Sequence, residues 1–313
     1  MKQFWKPIDV WANLANTALK PAWYGTDSIL ANCQRAFYNR CPHRGSQLVK
    51  PSVPIVNTNK IRCPYHGIIF DSHSGEMVKA PRWPDCPQMQ LKQLNIRRYG
   101  PFAMAHPKTN RSTFNVSDPV PDEQKKLEDL MIPQSRTTIH VKAPPTIVME
   151  NFLDTYHVPC IHPELSKSSN IEKHEYVFTD DIGCTFRTTL NIKRQTPFTS
   201  FLVPDKKQIA YFTAVWGGKN SGAFAFRMST HIFAVHLRSD EKGGTIETAT
   251  LLTNKNKSEC EIADMMDWYT EVNNEDVEAC EMVAIGRKTG PHTKTEYHPE
   301  YEKYSEHYVE NCL

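Results

Sequence analysis

The sequence has no long apolar run and little excess of charge of either sign. No stretch reaches the ~18 consecutive apolar residues that a transmembrane helix needs, and the opening segment MKQFWKPIDVWANLANTALK lacks the uninterrupted apolar core of a signal peptide. The 37 basic residues nearly balance the 35 acidic residues, which gives no electrostatic reason to expect nucleic acid or a membrane surface as a partner. We therefore expect a cytoplasmic protein that binds neither.

Glycine is scarce as well, with 13 residues in 313. No GxGxxG segment followed by an acidic residue is found, which argues against a nucleotide or flavin module of that kind. The nine cysteines are an odd number and are widely scattered. In a chain of this kind they are expected to be reduced thiols, and any clustered ones are expected to be metal ligands or catalytic groups.

The hydrophobic pattern predicts two domains of different class. Residues 1–105 contain short β-type runs separated by proline and glycine, which predicts a small all-β unit. Residues 106–137 are polar and weakly periodic, so we expect a surface connection with at most a short helix. Strand-like runs from 174 to 254 predict an antiparallel sheet, and residues 258–288 return to helical period. We predict an α+β protein with one domain over 1–137, connection included, and a second over 138–313, in which helices cover the sheet in a helix-grip arrangement.

Two short segments, CPHRG at 41–45 and CPYHG at 63–67, each place a cysteine close to a histidine. The full pattern is Cys41-x-His43, nineteen residues, then Cys63-x-x-His66. Structural zinc sites commonly group cysteines in one knuckle and histidines in the other, or use four cysteines. Mixed knuckles suit a two-iron cluster in which both thiolates bind one iron and both imidazoles bind the other. Zinc, or two unrelated turns, remain the alternatives.

The pattern resembles a Rieske [2Fe–2S] site. The segments RAFYNRCPHRGSQL and IRCPYHGIIFDSHSGE are similar to the two cluster loops of ring-hydroxylating oxygenases, with the loops here at 41–46 and 63–68. One departure is Ile68, where that family usually has tryptophan, and it affects packing or substrate-side contacts and not the ligand set. We expect Gly45 and Gly67 to let backbone amides approach the bridging sulfides.

A second group of candidate ligands lies in ENFLDTYHVPCIH. We predict a helix that ends at Val158, because Pro159 disfavours helix at the preceding residue. Asn151, Asp154 and His157, three apart, would then share one helical face, and His162 could reach the same metal after the break. Two histidines and a carboxylate form the facial triad that holds non-haem Fe(II). The alternative is that His157 is an ordinary core histidine.

The carboxylate is predicted in the C-terminal helix. At ~100° per residue, Asp276 falls at the centre of an apolar stripe, where metal ligation would compensate the cost of burying its charge. The stripe is formed by Met265, Tyr269, Val272, Ala279, Cys280 and Val283. Glu275, Glu278 and Glu281 fall off it, toward solvent. The alternative is that Asp276 is merely solvated.

The resemblance to Rieske oxygenases extends through this second group. NxxDxxHxxxxH at 151–162 is similar to the mononuclear iron motif of their α subunits, and NNEDVEACEMVAIGRKTG resembles their ligand helix, although the glutamine common near its end is Ala284 here. The resemblance, which includes the aromatic-ring-hydroxylating and choline-monooxygenase-like branches, implies that His157, His162 and Asp276 bind Fe(II). Asp154, with Asn151 beside it as a second catalytic residue, would carry electrons from the Rieske cluster of a neighbouring subunit in a head-to-tail homotrimer.

The implied function is that of a terminal oxygenase. A separate NAD(P)H-dependent reductase, with or without a ferredoxin, would supply electrons. The enzyme would use O₂ to hydroxylate or oxidatively demethylate a small organic substrate held near sheet residues 182–236. Abundant aromatic residues there do not by themselves indicate a cage for a quaternary ammonium group. The alternative function is a Rieske electron-transfer or sensor protein with a non-catalytic second site.

Overall fold

The computed structural model describes residues 6–10, 22–25, 29–31, 35–50, 55–56, 59–107, 122–180, 183–192, 207–254, 256–289 and 295–312. The chain forms two compact units, Met1–Asp118 and Pro119–Leu313. Within the described ranges, no helix combines the length and the apolar character needed to cross a membrane.

The first unit is built from short antiparallel strands. They are β1 (Lys6–Val10), β2 (Ala22–Gly25), β3 (Ile29–Ala31), β4 (Ala36–Tyr38), β5 (Ile55–Val56), β6 (Lys60–Arg62), β7 (Ile69–Asp71), β8 (Met77–Lys79), β9 (Gln93–Tyr99) and β10 (Phe102–Pro107). One sheet has the order β1-β10-β9-β4-β3-β2-β5, and a smaller one has the order β6-β7-β8. The segment with Cys41 follows β4 of the larger sheet, and the segment with Cys63 follows β6 of the smaller one. The predicted all-β unit is confirmed.

A hydrophobic core supports both cysteine segments. Phe37, Ile61 and Phe70 are fully buried, and Cys41 and Cys63 belong to the same buried cluster. Ile68, at the position where the family usually has tryptophan, is also buried in this cluster. The departure is therefore accommodated in the core, because a smaller apolar side chain still fills the position.

The second unit combines one antiparallel sheet with helices. Its elements are α1 (Asp122–Asp129), β11 (Ile132–Val141), α2 (Pro145–Leu153), α3 (Val158–Ile161), α4 (Pro163–Ser168), β12 (Ser169–Asp180), β13 (Gly183–Ile192), β14 (Lys207–Trp216), β15 (Ser221–Arg227), β16 (His231–Ser239), β17 (Thr245–Thr253), α5 (Glu259–Thr289) and α6 (Lys303–Cys312). The sheet order is β11-β17-β16-β15-β14-β13-β12. Apolar side chains of α2, α5 and α6 pack against one face of the sheet. The predicted α+β class and antiparallel sheet are confirmed.

Strand β11 was not predicted. It pairs along its length with β17, for example Thr137 with Ala249 and Thr138 with Thr248. The predicted division after residue 137 falls inside this strand, whereas the compact units divide after Asp118. The strand reads as polar because much of it is only partly buried. Helix α1 is the short helix that the predicted connection allowed, and residues 108–121 of that connection lie outside the described ranges.

The helix around Asn151 ends earlier than predicted. Helix α2 stops at Leu153, and Asp154 follows in an extended conformation with φ −91° and ψ 123°. Pro159 lies in the first turn of the separate short helix α3. Proline is well tolerated there, because its missing N–H would have no intrahelical partner in any case. The prediction that Asn151, Asp154 and His157 share one continuous helical face is therefore wrong.

Two candidate metal centres

The two cysteine loops of the first unit have the same backbone structure. In each loop the cysteine N–H donates to the carbonyl oxygen five residues later, and the glycine N–H donates back to the cysteine carbonyl oxygen, at distances of 2.8 to 3.0 Å. The glycines, Gly45 and Gly67, have φ values of 77° and 72°, which L-residues rarely adopt. The sequence similarity of the loops around Cys41 and Cys63 thus corresponds to the same turn conformation in both loops.

Backbone amides of the first loop reach the sulfur of Cys41. The N–H groups of Gly45 and Gly67 are occupied by the cysteine carbonyls, whereas the N–H groups of His43 and Arg44 donate to the sulfur of Cys41. Burial raises the pKa of the Cys41 thiol to about 11, against the effect of these two amides. Bound iron would supply the positive charge needed to keep such a buried sulfur in its thiolate form.

The two histidines of these loops lie side by side. The ring centroids of His43 and His66 are 4.7 Å apart. His43 Nδ1 is buried, and it has no hydrogen-bond partner among the residues that the structure describes. Buried imidazole nitrogens normally have a partner, and a metal ion would provide one. Two buried thiols and two adjacent imidazoles therefore fit the ligand set of a Rieske cluster.

The second unit brings together the three residues predicted to hold iron. One ligand atom from each of His157, His162 and Asp276 lies within 4.8 Å of the others. Asp276 Oδ1 is 3.3 Å from His157 Nε2 and 3.0 Å from His162 Nε2. His162 and Asp276 are buried, with 3% and 8% of their surface exposed. This donor set fits a divalent iron ion in a facial triad.

Carboxylates hold both imidazoles in the orientation that a metal would need. The distance from His157 Nδ1 to Asp154 Oδ2 is 3.3 Å, and that from His162 Nδ1 to Glu275 Oε2 is 2.7 Å. A hydrogen bond at Nδ1 leaves Nε2 as the ligand atom on the opposite side of the ring. In addition, Asn151 Nδ2 donates to Asp276 Oδ1 at 3.1 Å, which fixes the carboxylate of the triad.

The electrostatics of the triad also favour a cation. Burial opposes a charge on His157, but its hydrogen bonds with Asp154 and Asp276 outweigh burial and raise its pKa to about 9. Burial likewise raises the pKa of Asp276, but hydrogen bonds from His157 and His162 lower it to about 2. The pKa of His162 is raised in the same way as that of His157. Positive charge is therefore stabilised beside Asp276, as protons without metal or as a divalent ion.

Helix α5 places Asp276 on its buried face as predicted, but the limits of that face differ. Val283, expected on the stripe, is 43% exposed, whereas Asn273 and Ala284 are buried. Glu275 was expected to face only solvent. Its side chain is 48% exposed, yet its carboxylate reaches His162. Sequence reasoning thus missed Glu275, because a long side chain at the edge of a buried face can turn back toward it.

Comparison with protein families identifies both units. Residues 16–94 match the Rieske [2Fe-2S] domain. Residues 133–228 match the ring hydroxylating alpha subunit (catalytic domain). The second match contains His157 and His162, while Asp276 lies beyond it.

The chain is similar to oxygenases of known function. It is 28% identical over 162 residues to the carnitine monooxygenase oxygenase subunit of Acinetobacter pittii (strain PHEA-2), and equally to that of Escherichia coli (strain K12). Each match covers 48% of this chain and 41% of the relative, so the chain aligns with about two fifths of the relatives' length.

Solved structures share the fold. A quaternary ammonium Rieske monooxygenase in complex with an inhibitor has a TM-score of 0.74 at 16% identity, with 99% of this chain and 89% of that chain covered. Naphthalene 1,2-dioxygenase from Rhodococcus sp. bound to indole has a TM-score of 0.65 at 13% identity, with 99% and 88% covered. The arrangement of a Rieske domain followed by a catalytic domain is therefore confirmed.

Proposed function

This chain belongs to the Rieske oxygenases, and we therefore propose that it is the terminal oxygenase component of a Rieske oxygenase system. The observation that carries the proposal is the convergence of His157, His162 and Asp276 in a chain that also has a Rieske [2Fe-2S] domain. A Rieske electron carrier or sensor would need no such triad, and loss of the function should have removed at least one of its residues.

In the proposed mechanism the protein orients ligands and reactants. Iron bound to the triad would supply the one-electron chemistry that activates O₂. Asp154 and Glu275 hold the Nδ1 protons of the two histidines, so that both Nε2 lone pairs would be free to bind the metal. Asn151 fixes the carboxylate of Asp276. An iron ion held by only these three side chains would have positions open for O₂, with substrate beside it.

Asp154 is proposed to connect this centre with the Rieske cluster of a neighbouring subunit in a head-to-tail homotrimer. Its carboxylate contacts His157 on one side and accepts the Tyr156 N–H at 2.6 Å on the other. Asp154→Asn keeps the size of the side chain, so we expect full occupancy of both metal centres but loss of coupled turnover. Unchanged activity of this variant would refute the role, and a monomer in light scattering would refute the trimer.

The proposed substrate is a small quaternary ammonium compound, because the two relatives named above are carnitine monooxygenase subunits and one structural neighbour is a quaternary ammonium monooxygenase. Hydroxylation at a carbon bonded to the nitrogen consumes O₂, two electrons and two protons, and it releases water. The N-hydroxyalkyl product then breaks its C–N bond, loses a proton and gives a tertiary amine and an aldehyde. The electrons would come from a separate NAD(P)H-dependent reductase, directly or through a ferredoxin.

Two measurements test the proposal. Iron analysis of anaerobically reconstituted protein should give three irons per chain, whereas two would support an electron carrier. Zinc without the visible absorption of an iron–sulfur cluster would refute both. A substrate panel of quaternary ammonium and aromatic compounds, assayed with a surrogate reductase, should then give the amine and aldehyde from the former in excess of uncoupled peroxide. Product from the aromatic compounds alone would refute the substrate class.

A further inference from the structure

The loop between α2 and α3 carries two residues of the proposed iron site, Asp154 and His157. Asp154 Oδ2 lies 3.3 Å from His157 Nδ1, and Asp154 Oδ1 accepts the backbone N–H of Tyr156 at 2.6 Å. The carboxylate therefore keeps its place beside the imidazole only if the backbone at Tyr156 keeps its own. The proposed iron chemistry assigns no role to the side chain of Tyr156, which is 58% exposed.

Two rings from a distant part of the chain contact the ring of Tyr156. The centroid of His298 is 5.2 Å away at an interplanar angle of 22°, and that of Tyr301 is 5.8 Å away at 21°. The His298 and Tyr301 centroids are 4.9 Å apart, so both rings lie on the same side of Tyr156. These separations are within the range of attractive aromatic pairs. Tyr156 is therefore held on one side and exposed on the other.

The segment that presents these two rings, residues 298–305, has its own internal hydrogen bonds. His298 Nδ1 accepts the backbone N–H groups of Glu300 at 3.2 Å and of Tyr301 at 3.4 Å. The backbone N–H of His298 donates to Glu302 Oε2 at 2.6 Å. These hydrogen bonds fix the position of the His298 ring just before α6 begins.

The same segment is attached to α2 and to the sheet. Ser305 Oγ donates to the carbonyl oxygen of Glu150, in α2, at 3.1 Å. Tyr304 stacks on Phe186 of β13 at a centroid distance of 4.3 Å, and both Ser305 and Tyr304 are buried. The segment thus contacts α2 and also the loop that follows α2. It can hold that loop in a defined position relative to the helix.

We propose that His298 and Tyr301 are positioning residues of the iron site. They act through Tyr156, whose stacked ring keeps its backbone N–H directed at Asp154. Asp154 then holds the Nδ1 proton of His157, which leaves Nε2 for the metal. The inference rests on the proposed function, since it concerns the metal centre of the same site. Without the two rings the exposed loop would open more readily, and the imidazole would lose its fixed orientation.

The test is a double-mutant cycle between His298 and Asp154. Co(II) affinity at the triad is measured anaerobically by competition with a chelator, on protein loaded with its Rieske cluster, and the visible spectrum of bound Co(II) is recorded. We expect His298→Ala to alter the spectrum and to weaken binding several-fold, which is less than the about 10- to 100-fold for outright removal of a histidine's partner. In Asp154→Ala, the second substitution should have no further effect, because the carboxylate through which His298 acts is gone.

Two further variants separate positioning from stability. His307→Ala is the matched control, because His307 also contacts an aromatic ring from α6, that of Trp216 at 5.7 Å, and lies outside the group around Tyr156. It should bind Co(II) as wild type does, even if it lowers the temperature of unfolding. Tyr156→Phe keeps the ring and should also behave as wild type, whereas Tyr156→Ala should reproduce the effect of His298→Ala.

Three results would overturn the inference. They are wild-type Co(II) affinity and spectrum in His298→Ala, an equal loss in His307→Ala, and an effect of His298→Ala that is undiminished in Asp154→Ala. Tyr301→Leu takes the place of His298→Ala in the cycle if the latter fails to fold.

Metal binding is measured without turnover, which separates the two proposals. Coupling between His298 and Asp154 without product in the substrate assay above would refute the proposed function and leave the positioning role intact. Product without coupling would do the reverse.

Discussion

Removal of the Glu275 carboxylate should weaken iron binding at the triad without affecting the Rieske cluster. Glu275 Oε2 lies 2.7 Å from His162 Nδ1, within the range of charge-assisted hydrogen bonds. It fixes the tautomer of His162 and turns Nε2 toward Asp276. In Glu275→Ala the ring loses this partner and can rotate or place its proton on Nε2, where it would block the metal.

The magnitude follows from the geometry and from the exposure of the carboxylate. Loss of a hydrogen-bond partner behind a metal-binding histidine generally costs 10- to 100-fold in metal affinity. Because Glu275 is 48% exposed, water partly replaces it, and we expect about tenfold, or about 1.4 kcal/mol. Glu275→Gln should cost less, because its amide oxygen still accepts the Nδ1 proton. Asp154→Asn should also cost less, since the distance to His157 is 3.3 Å.

Competition for Fe(II) against a chelator measures these affinities anaerobically, and the visible absorption of the Rieske cluster in the same sample reports intact folding. Glu278→Ala is the matched control, because Glu278 is an exposed glutamate about one turn after Glu275 on the same helix. The reasoning would be refuted if Glu275→Ala bound Fe(II) as tightly as wild type, or if Glu278→Ala weakened binding equally.

Three further predictions concern the same centres. Metal binding must displace the proton of His157, whose pKa is about 9, and that of His162, whose pKa is also raised. Affinity should therefore rise at least tenfold per pH unit from pH 7 toward pH 9 and level off above, and pH-independent Co(II) binding would contradict this. Asn151→Leu removes the donor to the triad carboxylate and should weaken metal binding several-fold, with unchanged cluster absorption. Gly45→Ala would force alanine to adopt φ 77° and would place its Cβ 3.1 Å from the Arg40 side chain. The substitution should therefore lower the free energy of unfolding by more than the ~1–2 kcal/mol of backbone strain alone. Gly243→Ala is the control, because Gly243 has φ 82° but no described atom lies within 4 Å of the added Cβ. In thermal unfolding this variant should lose only the stability that corresponds to the backbone strain.

Patterns carried by residue type and spacing were predictable from the sequence. The alternation in β13 to β17 gave the sheet of the second unit, because side chains of successive residues point to opposite faces. The mixed spacing of Cys41, His43, Cys63 and His66 gave the cluster site, because few other sites use such ligands. Asp276 was identifiable as a charge at the centre of an apolar stripe.

What failed depended on local geometry and side-chain reach. Pro159 was interpreted as the end of a helix, although proline is equally suited to the first turn of one. As a result Asp154 was placed on a helix that had already ended at Leu153. Glu275 was assigned to solvent because helical periodicity gives the direction of the Cα–Cβ bond and not the position of the carboxylate at the end of a long side chain.

The repeated turn around the two cysteines bears on how the protein would be loaded with its cluster. Each loop is closed by backbone hydrogen bonds that involve no ligand atom, and Arg40 and Arg62 pack in the same way against Gly45 and Gly67. Much of the entropic cost of ordering both loops is therefore met by folding itself. A cluster delivered by an assembly protein would therefore meet two loops whose backbone is already ordered. Its insertion would require little more than deprotonation and small rotations of the four ligand side chains.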